Sequence, residues 1–195
     1  HLDQSAPMVR GCGSCVACIP ACPTNAIVAP GVLDAGRCLA AVLQRPGAIP
    51  EELRVAVGAR IYGCDECLVA CPPGDRALSA ASVGNGGLEP ADALALADDD
   101  LSVAASHWYV PKRNMRFVRR NALVALGNAG NGSHVGVLAG YLGHPDSLLR
   151  SHAAWALGRI ALGRTGGATA RSVLESALID ESSEEVREHI SSALS

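Results

Sequence analysis

Apolar and polar positions are spaced differently in the two halves of this chain. From Pro111 onward, apolar residues recur every three or four positions, the spacing of one face of a helix. The run Phe117-Val118-Arg119-Arg120-Asn121-Ala122-Leu123-Val124-Ala125-Leu126-Gly127 returns 31 positions later as Leu148-Leu149-Arg150-Ser151-His152-Ala153-Ala154-Trp155-Ala156-Leu157-Gly158. A looser third copy, Val186-Arg187-Glu188-His189-Ile190 through Ala193-Leu194, lies 37 further on. Between the copies, Val135 to Leu142 and Ala170 to Leu178 predict a second set of helices. Paired helices at a period in the thirties predict an α-solenoid, and alanine at recurring positions allows the helices to approach closely. The alternative is an ordinary helical bundle with accidental self-similarity.

The repeat signature resembles HEAT repeats. Upstream of it, Gly and Pro break the chain into short elements. Ala26-Ile27-Val28 and Val32-Leu33 flank Pro30-Gly31 and predict a small hairpin. Ala35 to Gln44 predicts a short helix. Pro50 to Ala59 predicts another, with Pro50 in its opening turn and Glu51 and Glu52 where the helix dipole favours acids. Residues 84–106 read as a seam, with glycines at Gly84, Gly86 and Gly87 and a solvated acidic run at Asp98-Asp99-Asp100. The expected plan is a cysteine-rich domain over 1–83, a linker over 84–110 and a repeat domain over 111–195. The fold class is mainly α.

Aromatic residues make up only 3% of the chain, which favours small packed helices over a sandwich of strands. No apolar run approaches the ~20 residues needed to span a bilayer, so a soluble, intracellular protein without a membrane role is expected. The first residue is His1, and the opening stretch to Arg10 has no hydrophobic pattern, which reads as a piece of a longer chain. The net charge of −3 conceals an asymmetry. Residues 1–106 carry six Lys or Arg against twelve Asp or Glu; residues 107–171 carry nine basic groups and Asp146 alone as acid; the remainder has one basic and six acidic groups. A middle this basic predicts a local anionic partner.

All eight cysteines lie between Cys12 and Cys71. The run Cys12-x2-Cys15-x2-Cys18-x3-Cys22-Pro23 has the bacterial ferredoxin spacing, in which three cysteines grip one 4Fe–4S cluster and the fourth serves its neighbour. Three thiolates must wrap one face of a cubane, so the chain has to curl tightly, and Gly13, Ser14 and Ala17 keep side chains out of the way. The second group, Cys64-x2-Cys67-x3-Cys71-Pro72, is one residue longer than the usual second motif, and Cys38 stands alone between the groups. Eight thiolates are what two cubanes require. By the crossing logic Cys12, Cys15, Cys18 and Cys71 hold one cluster, and Cys22, Cys38, Cys64 and Cys67 the other. Zinc also uses paired C-x2-C groups, and a disulfide framework or a structural metal scaffold without redox work are further alternatives. No nucleophile motif, phosphate loop or catalytic carboxylate pair is visible.

These residues together resemble epoxyqueuosine reductase. The resemblance runs through Cys12 to Asn25, Leu33-Asp34-Ala35-Gly36-Arg37-Cys38, Ile49-Pro50-Glu51-Glu52-Leu53-Arg54, Arg60-Ile61-Tyr62-Gly63-Cys64-Asp65-Glu66-Cys67 and Cys71-Pro72, then Arg120-Asn121-Ala122 to Asn128 and Ser151 to Gly158. It implies the C-terminal portion of a cytoplasmic, cobalamin-dependent enzyme that reduces epoxyqueuosine to queuosine in tRNA. In that family the clusters pass electrons from an external donor to the cobalt, whose reduced form attacks the epoxide. The family's N-terminal cobalamin domain has no counterpart in this sequence, so the chain alone is expected to load clusters without turning over. Leu39 and Asp65, beside the cysteines, are placed near the corrin by similarity.

Lys112, Arg113, Arg116, Arg119 and Arg120 crowd the start of the repeats behind Trp108 and Tyr109, and Arg150 recurs one repeat after Arg119. A cationic ridge with an aromatic neighbour suits the phosphate backbone and bases of the tRNA anticodon region. The bland alternative is a solvated helix face with the aromatics in the core. His152 and His189 recur at one repeat position and read as packing or capping residues. A competing function is a stand-alone ferredoxin-like electron carrier whose repeats bind a protein.

Overall fold

The computed structural model describes residues 11–80, 87–163 and 165–195. The cysteine-rich region opens with helix α1 (Cys18–Ala21), followed by the expected hairpin, β1 (Ile27–Ala29) and β2 (Val32–Leu33). The strands pair antiparallel, with Ile27 opposite Leu33 and Ala29 opposite Val32. Gly31 takes φ +75° in the turn between them, a conformation that a side chain would strain. Helices α2 (Leu39–Gln44) and α3 (Glu51–Val57) follow. Helix α3 begins after Pro50 with both acids in its first turn, as its sequence predicts, and stops at Gly58, whose φ is +60°. Next come α4 (Glu66–Val69) and α5 (Pro72–Ala80), with Pro72 at the first position, where a missing N–H costs nothing.

The expected linker is a correction. The stretch Gly84 to Gly86 lies outside the described residues, but from Pro90 the chain is helical: α6 (Pro90–Ala95) and α7 (Asp98–Ala104). The acidic run opens α7, where three carboxylates face the positive end of the helix dipole. Ala93, Leu94, Leu101, Ala105 and Val110 are buried in the same core as the repeats. Their apolar spacing outweighs the acidic run that marks the segment as solvated.

The remaining helices are α8 (Arg116–Ala129), α9 (Val135–Leu142), α10 (Ser147–Ala161), α11 (Gly167–Asp180) and α12 (Glu184–Leu194). Helix α10 packs against α8, α9, α11 and α12, and α6 packs against α8 and α9. The pairs are therefore α6 with α8, α9 with α10, and α11 with α12. The segment expected to be a linker supplies the first helix of the first pair.

Two features recur with the pairs. Gly127 and Gly158, 31 apart, sit where successive second helices cross most closely. A Cβ on Gly127 would meet the Trp155 ring at 2.6 Å, and one on Gly158 would meet the Ala193 Cβ at 2.7 Å. The second feature is an arginine that caps the carbonyl end of the preceding helix. Arg119 donates to the Leu96 carbonyl, Arg150 to those of His144 and Pro145, and Arg187 to those of Leu178 and Glu181. The chain at and just past the end of each first helix presents carbonyls that the helix does not use, and the guanidinium fork fills them.

A second, smaller core lies under the cysteine region: Leu39, Val42, Leu43, Ile49, Leu53 and Val57, closed by Val124 of α8. Among the described residues no helix is long and apolar enough to cross a membrane.

Candidate metal centre

Each cysteine sits in a turn or in or beside a short helix. Gly13 adopts φ +56°, and the Cys15 N–H bonds the Cys12 carbonyl at 3.0 Å, so the first two thiols lie on one curl of chain. Cys18 begins α1, and Cys22 leaves it in extended conformation. Cys38 precedes α2, held beside the first motif by a reciprocal pair: the Thr24 hydroxyl donates to the Arg37 carbonyl (2.7 Å) and Arg37 Nε to the Thr24 carbonyl (2.9 Å). Gly63, at φ +69°, turns the chain into Cys64. Cys67 lies within α4, and Cys71 joins α4 to α5. Gly74 makes that corner feasible, because a Cβ there would strike the Leu68 carbonyl.

Helix α1 packs against α4, which brings the two cysteine groups side by side. All eight cysteines are free thiols: Cys12 and Cys15 are exposed and the other six half-buried. No disulfide joins them among the described residues. Burial pushes the Cys67 thiol up, and the neighbouring Cys64, Cys38 and Cys18 sulfurs add to the shift. Cys18, Cys38, Cys64 and Cys67 thus share one neighbourhood. Burial acts to raise Cys22 too, but the N–H groups of Thr24, Ala26 and Ile27 and the Thr24 hydroxyl outweigh it and bring this thiol below its ordinary value. The Ala26 N–H lies 3.2 Å from Cys22 Sγ. A thiolate-stabilising environment of this kind suits a metal ligand.

Among the described residues no three His, Cys, Asp or Glu side chains converge as a single ion requires. Zinc would draw four sulfurs to about 2.3 Å from one point. A cubane carries one thiolate on each of four irons and asks for a wider ring of sulfurs.

A family profile for the 4Fe–4S double cluster binding domain matches residues 11–74, and a profile for HEAT repeats matches residues 116–195. The epoxyqueuosine reductase of Bacillus subtilis (strain 168) is 32% identical over 194 residues, which is 95% of this chain and 48% of that protein. That of Vibrio cholerae serotype O1 is 38% identical over 164 residues, 80% of this chain and 44% of that protein. A crystal structure of epoxyqueuosine reductase with an epoxyqueuosine-modified tRNA-Tyr stem loop superimposes on 98% of this chain with TM-score 0.80 and 29% identity. The chain is thus homologous to epoxyqueuosine reductases along nearly its whole length. It spans about half the length of the curated relatives it matches.

Several residues expected at functional surfaces of this family are spent elsewhere. Leu39, placed near the corrin by similarity, is 1% exposed within the small core, whereas Asp65 is at the surface. Arg120, placed on the cationic ridge, is fully buried. Its guanidinium donates to the carbonyls of Leu43 (3.1 Å), Arg45 (2.9 Å) and Gly47 and to Asn121 Oδ1 (2.7 Å). Burial and the nearby Arg45 and Arg116 charges bring its pKa down to about 10. Arg116 pairs with Asp146, Arg119 with Asp98 and Arg150 with Glu181, so these three charges are already matched. Hydrogen bonds from Arg150 hold the Glu181 carboxyl below its ordinary value. Of the ridge, Lys112 and Arg113 carry no carboxylate partner among the described residues.

The sequence reading missed a buried polar seam joining the cysteine region to the repeats. Asn121 donates to the carbonyls of Leu43 and Ile61, and Asn128 to those of Arg54 and Gly58. His152 accepts the Ile49 N–H at 3.2 Å through Nε2, so its Nδ1 carries the proton toward the Leu148 carbonyl at 2.7 Å. The signal was present as the pair Arg120-Asn121 inside an otherwise apolar helix face.

Proposed function

We propose that this chain forms the electron-delivering and helical-repeat part of a cytoplasmic epoxyqueuosine reductase, an oxidoreductase converting epoxyqueuosine to queuosine in tRNA. Cys12, Cys15, Cys18 and Cys71 hold one 4Fe–4S cluster in this reading; Cys22, Cys38, Cys64 and Cys67 hold the other. When bound, the clusters supply one-electron transfer from an external donor, and cobalamin held by the rest of such an enzyme supplies the centre that reduces the epoxide. The chain's own residues fix the geometry. Packing of α1 on α4 sets the separation of the two thiol groups. The Ala26 N–H on Cys22 Sγ stabilises negative charge on that ligand, one of the means by which a protein tunes cluster potential. Arg120, Asn121, Asn128 and His152 lock this region to the repeats, so the electron path and the repeat surface keep one relative position.

The observation that carries this reading is the likeness along nearly the whole chain to enzymes of this activity, with the two cysteine groups brought side by side by the packing of α1 on α4. Anaerobic reconstitution followed by iron, sulfide and EPR analysis tests it. About eight irons per chain and a visible absorption band bleached by dithionite are expected. A preparation holding zinc, or no metal, would overturn the redox assignment. A second reading, an electron carrier whose partner is a protein, draws on the exposed Val16, Leu68 and Val69 beside the cysteine loops. Tight binding of tRNA by the cluster-loaded chain argues against it.

A further inference from the structure

Four cations lie in or beside the loop after α2 and the 108–113 turn: Arg45 and Lys112 on one surface, Arg120 behind Arg45, and Arg113 next to Lys112. Among the described residues none has a carboxylate within ion-pair distance. Two of them are committed to backbone. Arg120 is buried on carbonyls, and Arg113 donates to those of Ser102 (2.6 Å), Ala105 (3.1 Å) and Trp108 (3.2 Å). Arg45 Nη1 reaches only the Gly36 carbonyl, at 3.4 Å, and Lys112 is exposed without a side-chain partner among the described residues. Arg45 and Lys112 flank a hollow of about 460 Å³ walled by Ala41, Pro46, Pro111 and the Tyr109 ring. That volume falls within the range of small-ligand sites.

The hollow is held in shape by its surroundings. Lys112 and Arg113 are consecutive non-glycine residues at φ +52° and +51°, a conformation that persists only where neighbouring contacts enforce it. The three carbonyls on Arg113 do so. Tyr109 is 66% exposed, yet its backbone is fixed: its N–H donates to the Tyr62 hydroxyl at 2.8 Å, and Tyr62 stacks on Trp108 at 4.8 Å. An exposed aromatic side chain lining the same hollow as two unneutralised cations has the chemistry that receives an unstacked base and its phosphate.

We propose that this hollow takes one unstacked nucleotide of a single-stranded RNA loop, its base against Tyr109 and its phosphate between Arg45 and Lys112. The choice of partner rests on the tRNA reading above, but the contact moves off the repeat ridge. It now straddles the seam between the cysteine region and the repeats.

The test titrates the anaerobically cluster-loaded chain with a fluorescent anticodon stem-loop RNA at several salt concentrations, beside a blunt duplex RNA of equal length. Tyr109→Ala weakens stem-loop binding about tenfold or more, while Tyr109→Phe retains it. Lys112→Gln weakens binding and lowers the slope of log affinity against log salt by about one. Both side chains are exposed, and unchanged thermal midpoints establish that the variants fold. Parental affinity and slope in Tyr109→Ala and Lys112→Gln, with the parent still binding stem-loop, overturn the hollow and leave the tRNA reading intact. Equal losses on duplex and stem-loop also overturn it. A parent that binds neither RNA removes hollow and tRNA reading together.

Discussion

Residues 88–195 bury a continuous apolar core through helices that cross closely, whereas residues 11–80 bury a handful of aliphatic side chains and hold their remaining shape through turns and polar contacts. The difference shows most clearly in α8. One side of this helix packs on α10 through Gly127 and the Trp155 ring; another gives Val124 to the small core and sends Arg120, Asn121 and Asn128 onto the open carbonyl ends of α2 and α3. A region with so little apolar area is of the kind that needs metal, disulfides or a neighbour to stay folded. The cysteine region has no disulfide, and its neighbour closes its core. The repeats act as its scaffold as well as a surface.

The sharpest way to break that arrangement is Arg120→Ala. It takes the charged donor from the carbonyls of Arg45 and Gly47, leaves that of Leu43 to Asn121 alone, and opens a cavity between the two regions. A loss of about 3–5 kcal/mol is expected, the cost of breaking a buried charged hydrogen-bond network. Denaturant unfolding of the cluster-loaded chain measures it, with visible absorbance reporting the cysteine region and far-UV circular dichroism the helices. Separate transitions in the parent, with the helical one unmoved by the substitution, would show that the regions are not coupled. Gly158→Ala probes the other side. A new Cβ at 2.7 Å from that of Ala193 forces α10 from α12, costing about 1–3 kcal/mol through overpacking while iron content per folded chain stays at the parental value. An undiminished midpoint would mean that these helices part freely.

Much of this was legible in the sequence, and the exceptions share a cause. The repeat period, the second helices at Val135 to Leu142 and 170–178, the hairpin and α3 follow from local spacing and match what is seen. Composition misled at residues 90–110, where the Asp98 run marks solvent while Leu94 and Leu101, on the other side of the same short helices, are buried. Charge misled along the ridge for a different reason. A sequence lists arginines without showing which carbonyls lie within their reach, so Arg119 and Arg150 look like a cationic surface although they cap helix ends. Arg45 gives no signal in the sequence because no other charge lies within five residues of it, and it acquires its setting only when Tyr109 and Lys112 fold onto the same surface. The ferredoxin spacing at Cys12 to Cys22 suggests how the cysteines divide, whereas the second group, Cys64 to Cys71, is one residue longer than the usual motif and gives less direction.

The gentlest probe of the seam is pH, through His152. Its imidazole is fully buried, and burial together with the neighbouring Arg54 charge pushes its pKa down to about 3. In the unfolded chain it titrates near 6.5. Between those values the unfolded state binds a proton that the folded state refuses, because Nε2 already accepts the Ile49 N–H and a second proton would face that donor. The stability His152 contributes is therefore complete above about pH 6.5 and is lost as pH falls toward about 3, with a limiting slope of about 1.4 kcal/mol per pH unit. Lowering the pH from about 7.5 to about 5.5 spans the onset and should remove about 1.4 kcal/mol through this residue alone. His152→Gln keeps a polar side chain without a titrating group, so its unfolding free energy should lack that component while retaining the part due to carboxylates. Parallel pH profiles for parent and variant would mean that the imidazole takes up its proton in the folded state, and the seam would have to open at Ile49 to admit it.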